Sequence, residues 1–292
     1  MAHLPHREPW FDPAAPAVPE VEAELQVPID PRAAAFFDVD NTMLRGASLY
    51  HLARGLAARD FFSPTDLAGF AWKQARFQIG GKENRADMAA ATEAALGFVA
   101  GRQVAELAEL VEDIFDESLS ARLWPGTLAL AQSHLDAGQR VWLVTATPVE
   151  LAEVIAHRLG LTGALGTVSE VADGRYTGRL LGAPMHGPNK AVAVRSLAIR
   201  EGLDLERCSA YSDSANDIPL LSMVGAATAV NPDRALREHA RSHGWPIHDY
   251  RRRRRAWRVT APGVATGVAV GVGIGIAVAR QRSADERAAS NS

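Results

Sequence analysis

Residues 33–42 read AAAFFDVDNT, an apolar run that gives way at once to Asp38 and Asp40. A short, continuous apolar run is typical of a strand that is buried on both faces of a parallel sheet. Two carboxylates at the end of such a strand repel each other, so a positive group is expected beside them. A hard divalent cation with oxygen ligands, such as Mg²⁺, is the natural candidate.

Downstream of residue 124, strand patterns alternate with helix patterns. The strands are predicted at 140–144, in a hairpin over 168–181, at 207–211 and at 226–230, and the helices at 127–137, 147–159, 189–201, 218–224 and 232–243. This alternation predicts an α/β fold with a doubly wound, mainly parallel sheet. In such sheets, ligands bind outside the carboxyl ends of the strands.

Three further groups of polar residues lie near predicted strand ends or helix starts. Asp213, Asn216 and Asp217 follow the strand at 207–211, and Thr145-Ala146-Thr147 lies between a strand and a helix, where hydroxyls and N–H groups bind phosphate well. Lys190 falls in the first turn of a helix, where its charge opposes the helix dipole, so an anionic partner would explain it. Each group singly could be a turn, a cap or a surface residue, but their ordered set favours a shared site.

The motifs resemble a known family. FFDVDNT at 36–42, VTAT at 144–147, the lysine of GPNK at 187–190 and YSDSANDIPLL at 211–221 are similar, in order, to the four motifs of the haloacid dehalogenase superfamily, in its phosphoserine-phosphatase-like branch, subfamily IB. The resemblance covers residues 33–250 and implies a Rossmann-like core over 33–47 and 121–250. The helical pattern at 48–120 then resembles the small cap of that branch.

The resemblance also implies the residue roles. Asp38 would be the nucleophile that forms an aspartyl phosphate, and Asp40 the acid and base. Lys190 would stabilise negative charge during catalysis. The substrate would contact Thr42, Thr145, Ala146, Lys190 and Asn216, and the acids expected around Mg²⁺ are Asp38, Asp40, Asp213 and Asp217.

These expectations describe a magnesium-dependent phosphomonoester hydrolase acting on a small phosphorylated metabolite, with O-phospho-L-serine as a candidate. Ala47 stands where phosphoserine phosphatases carry a glutamate for the substrate's ammonium group, which puts that substrate in doubt. Two alternatives stay open: a membrane-tethered binding or regulatory protein without activity, and a phosphotransferase that passes phosphate to an acceptor alcohol.

Composition limits the other classes of function. The formal net charge of -3 gives no signature of a nucleic-acid-binding protein. The single cysteine, Cys208, cannot form an internal disulfide and is expected to be a buried small residue in a strand. Residues 1–32 are rich in proline and are expected to form a disordered leader.

The C-terminal region has a pattern of its own. Five consecutive arginines begin a linker at 251–258, residues 259–279 are apolar and free of charge, and a tail follows at 280–292. An uncharged stretch of about 20 residues is long enough to cross a bilayer. The pattern predicts a transmembrane or membrane-associated helix, and the arginines place the catalytic domain on the cytoplasmic side. A flexible tail or a helix on the domain surface is the alternative.

Overall fold

The computed structural model describes residues 29–59 and 99–251, together with residues 27 and 61. Its strands are β1 (Ala34–Phe37), β2 (Arg140–Pro148), β3 (Gly163–Thr167), β4 (Ser169–Ala172), β5 (Arg175–Leu180), β6 (Ser209–Ser212), β7 (Ala226–Val230) and β8 (Ile247–His248). Its α-helices are α1 (Ser48–Ala57), α2 (Val104–Ile114), α3 (Pro125–Asp136), α4 (Val149–Arg158), α5 (Pro188–Glu201), α6 (Ile218–Leu221) and α7 (Arg234–Ser242).

Six strands form one parallel sheet in the order β3-β2-β1-β6-β7-β8. The order reverses direction at β1, because β2 and β3 lie on one side of it and the later strands on the other. A reversal of this kind opens a crevice between the carboxyl ends of the two strands concerned. The predicted α/β fold with a parallel sheet is confirmed, and β4 and β5 form the separate hairpin.

Strand β1 is central, and its side chains alternate between two apolar cores. Phe37 packs with the cluster that includes α2, α3 and α4, whereas Phe36 packs with the cluster that includes α5, α6 and α7. All four residues of β1 are fully buried. This is the two-sided burial that its continuous apolar sequence predicts.

The predicted hairpin turn, the predicted end of the helix at 189–201 and the predicted burial of Cys208 are confirmed. Asp173 and Gly174 both have positive φ values, 51° and 72°, and join β4 to β5 as the Asp-Gly pair predicts. Gly202 ends α5 in the left-handed conformation, with φ 66°. Cys208 is fully buried, directly before β6 rather than within it.

One boundary prediction is wrong. Strand β2 continues to Pro148, so Thr145 and Thr147 belong to its last residues, and α4 begins at Val149 without a side-chain cap. The pattern Thr-Pro-Val-Glu predicts a capping box, but the Thr147 hydroxyl lies 2.7 Å from the Ser48 hydroxyl instead. A contact across 99 positions of sequence thus replaces the expected local one.

Strands β3 and β8 were not predicted. Strand β3 reads GALGT, and small residues have low strand propensity. Its glycines are required by packing, because a Cβ on Gly166 would lie 2.6 Å from the Val149 Cα. Strand β8 has only two residues, too few for a periodic signal.

The region predicted as a cap is described only at its ends, by α1 and α2. The residues Ser63-Pro64-Thr65-Asp66 have a pattern typical of a helix start, and this start lies outside the described residues. So do Lys73, Arg76, Lys82 and Arg85, which the sequence offers as anion-binding residues of the cap or as a solvated helix face. At the N-terminal side, Asp30 also contacts the core: its carboxylate lies 2.5 Å from the guanidinium group of Arg207.

We expect Gly225→Ala to lower the free energy of unfolding by at least about 2 kcal/mol. A Cβ at this position would lie 1.7 Å from the backbone oxygen of Glu206, which cannot move without shifting the turn that precedes β6. Urea unfolding followed by circular dichroism measures the change. The control is Ala226→Ser at the exposed neighbouring position, expected to change stability by less than about 0.5 kcal/mol; equal midpoints for both variants would contradict the packing argument.

Candidate active site

Two aspartates meet where the sheet order reverses. Asp38 follows β1 and Asp213 follows β6, and these neighbouring parallel strands pair Phe37 with Tyr211. The Asp38 N–H donates to the Tyr211 carbonyl at 2.9 Å. Residues separated by 175 positions of sequence therefore lie at one edge of the sheet, where the topology opens its crevice.

Lys190 joins two carboxylates in this crevice. Its Nζ lies 2.6 Å from Asp38 Oδ1 and 2.7 Å from Asp217 Oδ2, and all three side chains are buried. Burial alone lowers the pKa of Lys190, but the two carboxylates raise it above its ordinary value. The lysine is therefore a fixed cation, and its place in the first turn of α5 is explained by these two anions.

Asp217 has a second donor. Its Oδ2 also accepts a hydrogen bond from the Ser212 hydroxyl at 2.7 Å. Ser212 is the last residue of β6, so the strand end and the turn after it hold one carboxylate oxygen between them. These two contacts hold the Asp217 carboxylate beside Lys190, and the lysine in turn donates to Asp38.

Asp38 is held at both carboxylate oxygens. Oδ1 receives Lys190, and Oδ2 accepts from the Thr42 hydroxyl at 3.3 Å. Burial raises the pKa of Asp38 to about 6, although the charge of Lys190 opposes the shift. Added positive charge at this point would favour the ionised, nucleophilic form.

Asp213 is a further acidic side chain of the site. Burial, followed by the charge of Asp38, raises its pKa to about 8, against a lowering hydrogen bond from Asn41. In the described part of the chain, no basic side chain forms an ion pair with Asp213. A divalent cation between Asp38 and Asp213 would relieve this repulsion.

These residues fit Mg²⁺. Among the described residues, no three histidine, cysteine or acidic side chains are grouped as metal ligands. Magnesium does not require three, because it is commonly bound by one or two carboxylates together with other oxygen atoms and water. Buried Asp38 and partly buried Asp213, together with backbone carbonyls on the loop after β1, can supply that donor set.

Asp40 lies on the loop between β1 and α1 and is partly buried. Its Oδ1 accepts from the backbone N–H of Ser48 at 2.8 Å. The following residue, Asn41, has a φ of 58°, a left-handed conformation that asparagine tolerates better than most residues. The carbonyl of Asn41 accepts from the Asn231 amide at 2.9 Å, which fixes the loop from the opposite side.

Thr145 and Ala146 lie at the end of β2, where its pairing with β3 changes register between Val144 and Pro148. Thr145 is buried and Ala146 is exposed. The Ala146 carbonyl accepts from the Thr167 hydroxyl at 2.8 Å. Asn216 is exposed on the short turn that also carries Asp217.

The supporting roles of four residues were not predicted. Ser48, Thr147, Ser212 and Asn231 are all buried and all bond to site residues or their loop. Thr147 and Ser212 stand within the quoted motifs, and Asn231 directly follows the apolar strand AATAV, so all three lie at strand ends. The contact between Ser48 and Thr147 is long-range and has no local signal in the sequence.

The predicted C-terminal helix at 259–279 lies outside the described residues. Within residues 29–59 and 99–251, no helix has both the length and the apolar character needed to cross a membrane.

Comparison with known proteins gives a family and its relatives. The model of the haloacid dehalogenase-like hydrolases matches residues 35–222. Phosphoserine phosphatase SerB1 of Mycobacterium tuberculosis is 59% identical over 242 residues, covering 83% of this chain and 79% of that protein. Histidinol-phosphatase of Neisseria meningitidis is 30% identical over 226 residues, covering 74% of this chain and 98% of that protein.

A solved structure shares the fold. A protein of unknown function from Bordetella pertussis Tohama I is 33% identical and superposes with a TM-score of 0.66, covering 75% of this chain and 98% of its own.

We expect the metal-free protein to lose stability as pH rises from about 4 to about 8. The folded state keeps a proton on Asp213 up to its pKa of about 8, whereas the unfolded chain loses it near the ordinary aspartate pKa of 3.8. The folded state therefore binds more protons across this range, so the free energy of unfolding falls with rising pH. Asp38 contributes in the same direction up to about pH 6.

Chemical denaturation at several pH values tests this. Asp213→Asn should be more stable than the wild type at pH 8 by at least about 1 kcal/mol, with the difference vanishing near pH 4. Magnesium should stabilise the wild type at pH 8 and the variant much less. Glu238→Gln, an exposed acid on α7, is the control and should leave the pH profile unchanged. A wild-type profile that is flat from pH 4 to 8 would refute the buried-acid account.

Proposed function

Because the chain belongs to the haloacid dehalogenase-like hydrolases, we propose that it is a magnesium-dependent phosphatase that forms an aspartyl phosphate on Asp38. The enzyme class predicted from the motifs, a phosphoric monoester hydrolase, is confirmed by the family and by the phosphatase names of its relatives. The observation that supports the proposed mechanism is the buried Asp38 carboxylate, held 2.6 Å from Lys190 at the reversal point of the sheet.

In the first step, a carboxylate oxygen of Asp38 attacks phosphorus and the bond from phosphorus to the leaving oxygen breaks. Asp40 gives its proton to that leaving oxygen. In the second step, Asp40 takes a proton from water, which attacks the phosphorus of the aspartyl phosphate. The bond from phosphorus to Asp38 then breaks and inorganic phosphate is released.

The surrounding residues would stabilise the charge that develops. Lys190 faces the oxygen of Asp38 and would attract the phosphoryl oxygens as well, while Asp217 keeps the lysine in place. Thr145, the N–H of Ala146 and Thr42 would bind phosphoryl oxygens from the ends of β2 and β1. Asn216, exposed at the rim, would contact the substrate from the side of β6.

Magnesium would be held by the side chains of Asp38 and Asp213 and by the backbone carbonyl of Asp40. Asp40 was predicted among the metal-site residues through this backbone carbonyl, and its carboxylate accepts from the Ser48 N–H. Asp217 was predicted to orient Lys190 or a metal-bound water, and its carboxylate accepts from Lys190. The bound ion supplies positive charge that reduces repulsion between an anionic nucleophile and an anionic substrate.

The proposed substrate is a small phosphomonoester. O-phospho-L-serine is the first compound to test, since a relative carries the name of a phosphoserine phosphatase. Histidinol phosphate is the second, on the name of another relative. Ala47 offers no carboxylate for an ammonium group, so specificity would depend on other residues.

The domain boundaries proposed from the sequence are retained: a core over 33–47 and 121–250 and a helical cap over 48–120. We also propose that residues 251–279 associate with the cytoplasmic face of a membrane, which rests on their composition. Arg251, the first arginine of the run, donates to the carbonyl of Pro232, one residue from Asp233, whose N–H donates to the Asp213 carbonyl. Arg251 itself is therefore connected to the catalytic edge of the sheet through Pro232 and Asp233.

Hydrolysis of p-nitrophenyl phosphate with and without magnesium tests the proposal. Asp38→Asn should lower kcat at least about 1,000-fold, because no nucleophile remains. Glu238→Gln is the matched control and should retain wild-type activity. Magnesium-independent turnover, or full activity of Asp38→Asn, would refute the mechanism, and added acceptor alcohols would reveal phosphate transfer by a second product.

Asp40→Asn should separate the two steps. We expect kcat/KM for an alkyl phosphate to fall about 100- to 10,000-fold, since its leaving oxygen needs the proton. The fall for p-nitrophenyl phosphate should be smaller, because p-nitrophenolate is a stable anion. Rapid mixing should then show about one equivalent of p-nitrophenolate before slow turnover, as aspartyl phosphate accumulates. Equal losses for both substrates without a burst would argue that Asp40 is not the acid and base.

A further inference from the structure

Ser48 connects the inserted helical segment to both catalytic strand ends. It is the first residue of α1 and is fully buried. Its N–H donates to Asp40 Oδ1 at 2.8 Å, and its hydroxyl lies 2.7 Å from Thr147 Oγ1. One residue therefore contacts the loop after β1 and the end of β2 together.

The contact with Thr147 extends to Thr145. The Thr145 hydroxyl donates to Thr147 Oγ1 at 2.9 Å, and the Thr147 N–H donates to Thr145 Oγ1 at 3.1 Å. The three hydroxyls, those of Ser48, Thr147 and Thr145, form a buried hydroxyl chain, since none of these residues is more than 3% exposed. Water does not readily replace a lost hydrogen-bond partner at a buried position. When one of these hydroxyls changes its partner, another member of the hydroxyl chain must therefore take its place.

We propose that Ser48 is a positioning residue for both steps of the reaction, an inference that rests on the proposed phosphatase function. Its hydroxyl keeps Thr147 paired when Thr145 turns its proton to a phosphoryl oxygen. Its N–H holds the Asp40 carboxyl where a leaving oxygen meets it. The start of α1 thus sets the geometry of phosphate binding and of proton transfer at once.

The Thr145 hydroxyl has a single proton, which in this structure it donates to Thr147. A bound phosphoryl group competes for that proton. Without the Ser48 hydroxyl, moving the Thr145 proton to the phosphoryl oxygen would leave the buried Thr147 oxygen without a donor, and this would lower the affinity for phosphate. With Ser48 at 2.7 Å, the hydroxyl of Thr147 keeps a partner in both states.

A double-mutant cycle in the full chain tests the hydroxyl chain. Ser48→Ala keeps the N–H to Asp40 and removes only the hydroxyl, and Thr147→Val removes the middle member. Ser48→Ala should raise the inhibition constant of inorganic phosphate about 3- to 10-fold, the worth of one neutral hydrogen bond, because Thr147 then loses its donor when Thr145 turns to the phosphate. Thr147→Val should keep the constant within about twofold of the wild type, because no buried hydroxyl oxygen is then left without a donor. The double variant should behave like Thr147→Val, because Ser48 acts on phosphate affinity only through the Thr147 oxygen. In a Thr147→Ser background, which keeps the hydroxyl, Ser48→Ala should again raise the constant about 3- to 10-fold.

A proline variant isolates the N–H. Proline suits the first position of a helix, and the preceding Ala47 already has the extended conformation, φ -85° and ψ 119°, that proline requires before it. Ser48→Pro therefore loses the donor to Asp40 in addition to the hydroxyl. Compared with Ser48→Ala, it should lower kcat/KM for an alkyl phosphate about 10-fold, and less for p-nitrophenyl phosphate.

The outcomes distinguish the inference from the proposed function. A wild type without magnesium-dependent phosphatase activity refutes the function itself. An active wild type in which the effects of Ser48→Ala and Thr147→Val multiply overturns the hydroxyl chain. Equal losses of Ser48→Pro on both substrates overturn the role at Asp40. Thermal melting by circular dichroism checks the fold of each variant, and Thr147→Ala replaces Thr147→Val in the cycle if the latter does not fold.

Discussion

The ammonium group of Lys190, placed between the carboxylates of Asp38 and Asp217, constrains the rest of this structure. A buried carboxylate without a partner is strongly destabilising, and here one cation serves two. The sheet edge, the start of α5 and the turn after β6 must therefore meet within hydrogen-bonding distance. Lys190 opposes the dipole of its own helix, and this local cost is offset by the two anions.

One cation for two carboxylates leaves no positive charge for a third acid, and burial together with the charge of Asp38 raises the pKa of Asp213. A site that is short of positive charge is suited to a divalent cation and, through it, to an anionic substrate. The same shortage weakens the fold when the ion is removed. Stability and catalysis thus depend on one electrostatic arrangement.

The parallel sheet makes this arrangement possible. Every strand of the six ends at the same edge, and the reversal of order at β1 separates the loops that follow β1 and β6. The loop after β1 is then fixed from two sides, by Ser48 of α1 acting on Asp40 and by Asn231 at the end of β7 acting on Asn41. The inserted segment and the last strands of the core therefore both act on the loop that carries Asp40.

Features with local causes could be predicted from the sequence. Strand β1 follows from its apolar run, the hairpin turn from Asp173-Gly174, the end of α5 from Gly202, and the acids and Lys190 from motifs with fixed spacing. Other features become visible only in the folded chain: the extent of β2, the existence of β3 and β8, and the roles of Ser48, Thr147, Ser212 and Asn231. The cause of this difference is distance along the chain. Turn and helix signals arise between residues a few positions apart, whereas the hydroxyl of Thr147 finds its partner 99 residues away, and no local pattern records which buried polar groups will meet.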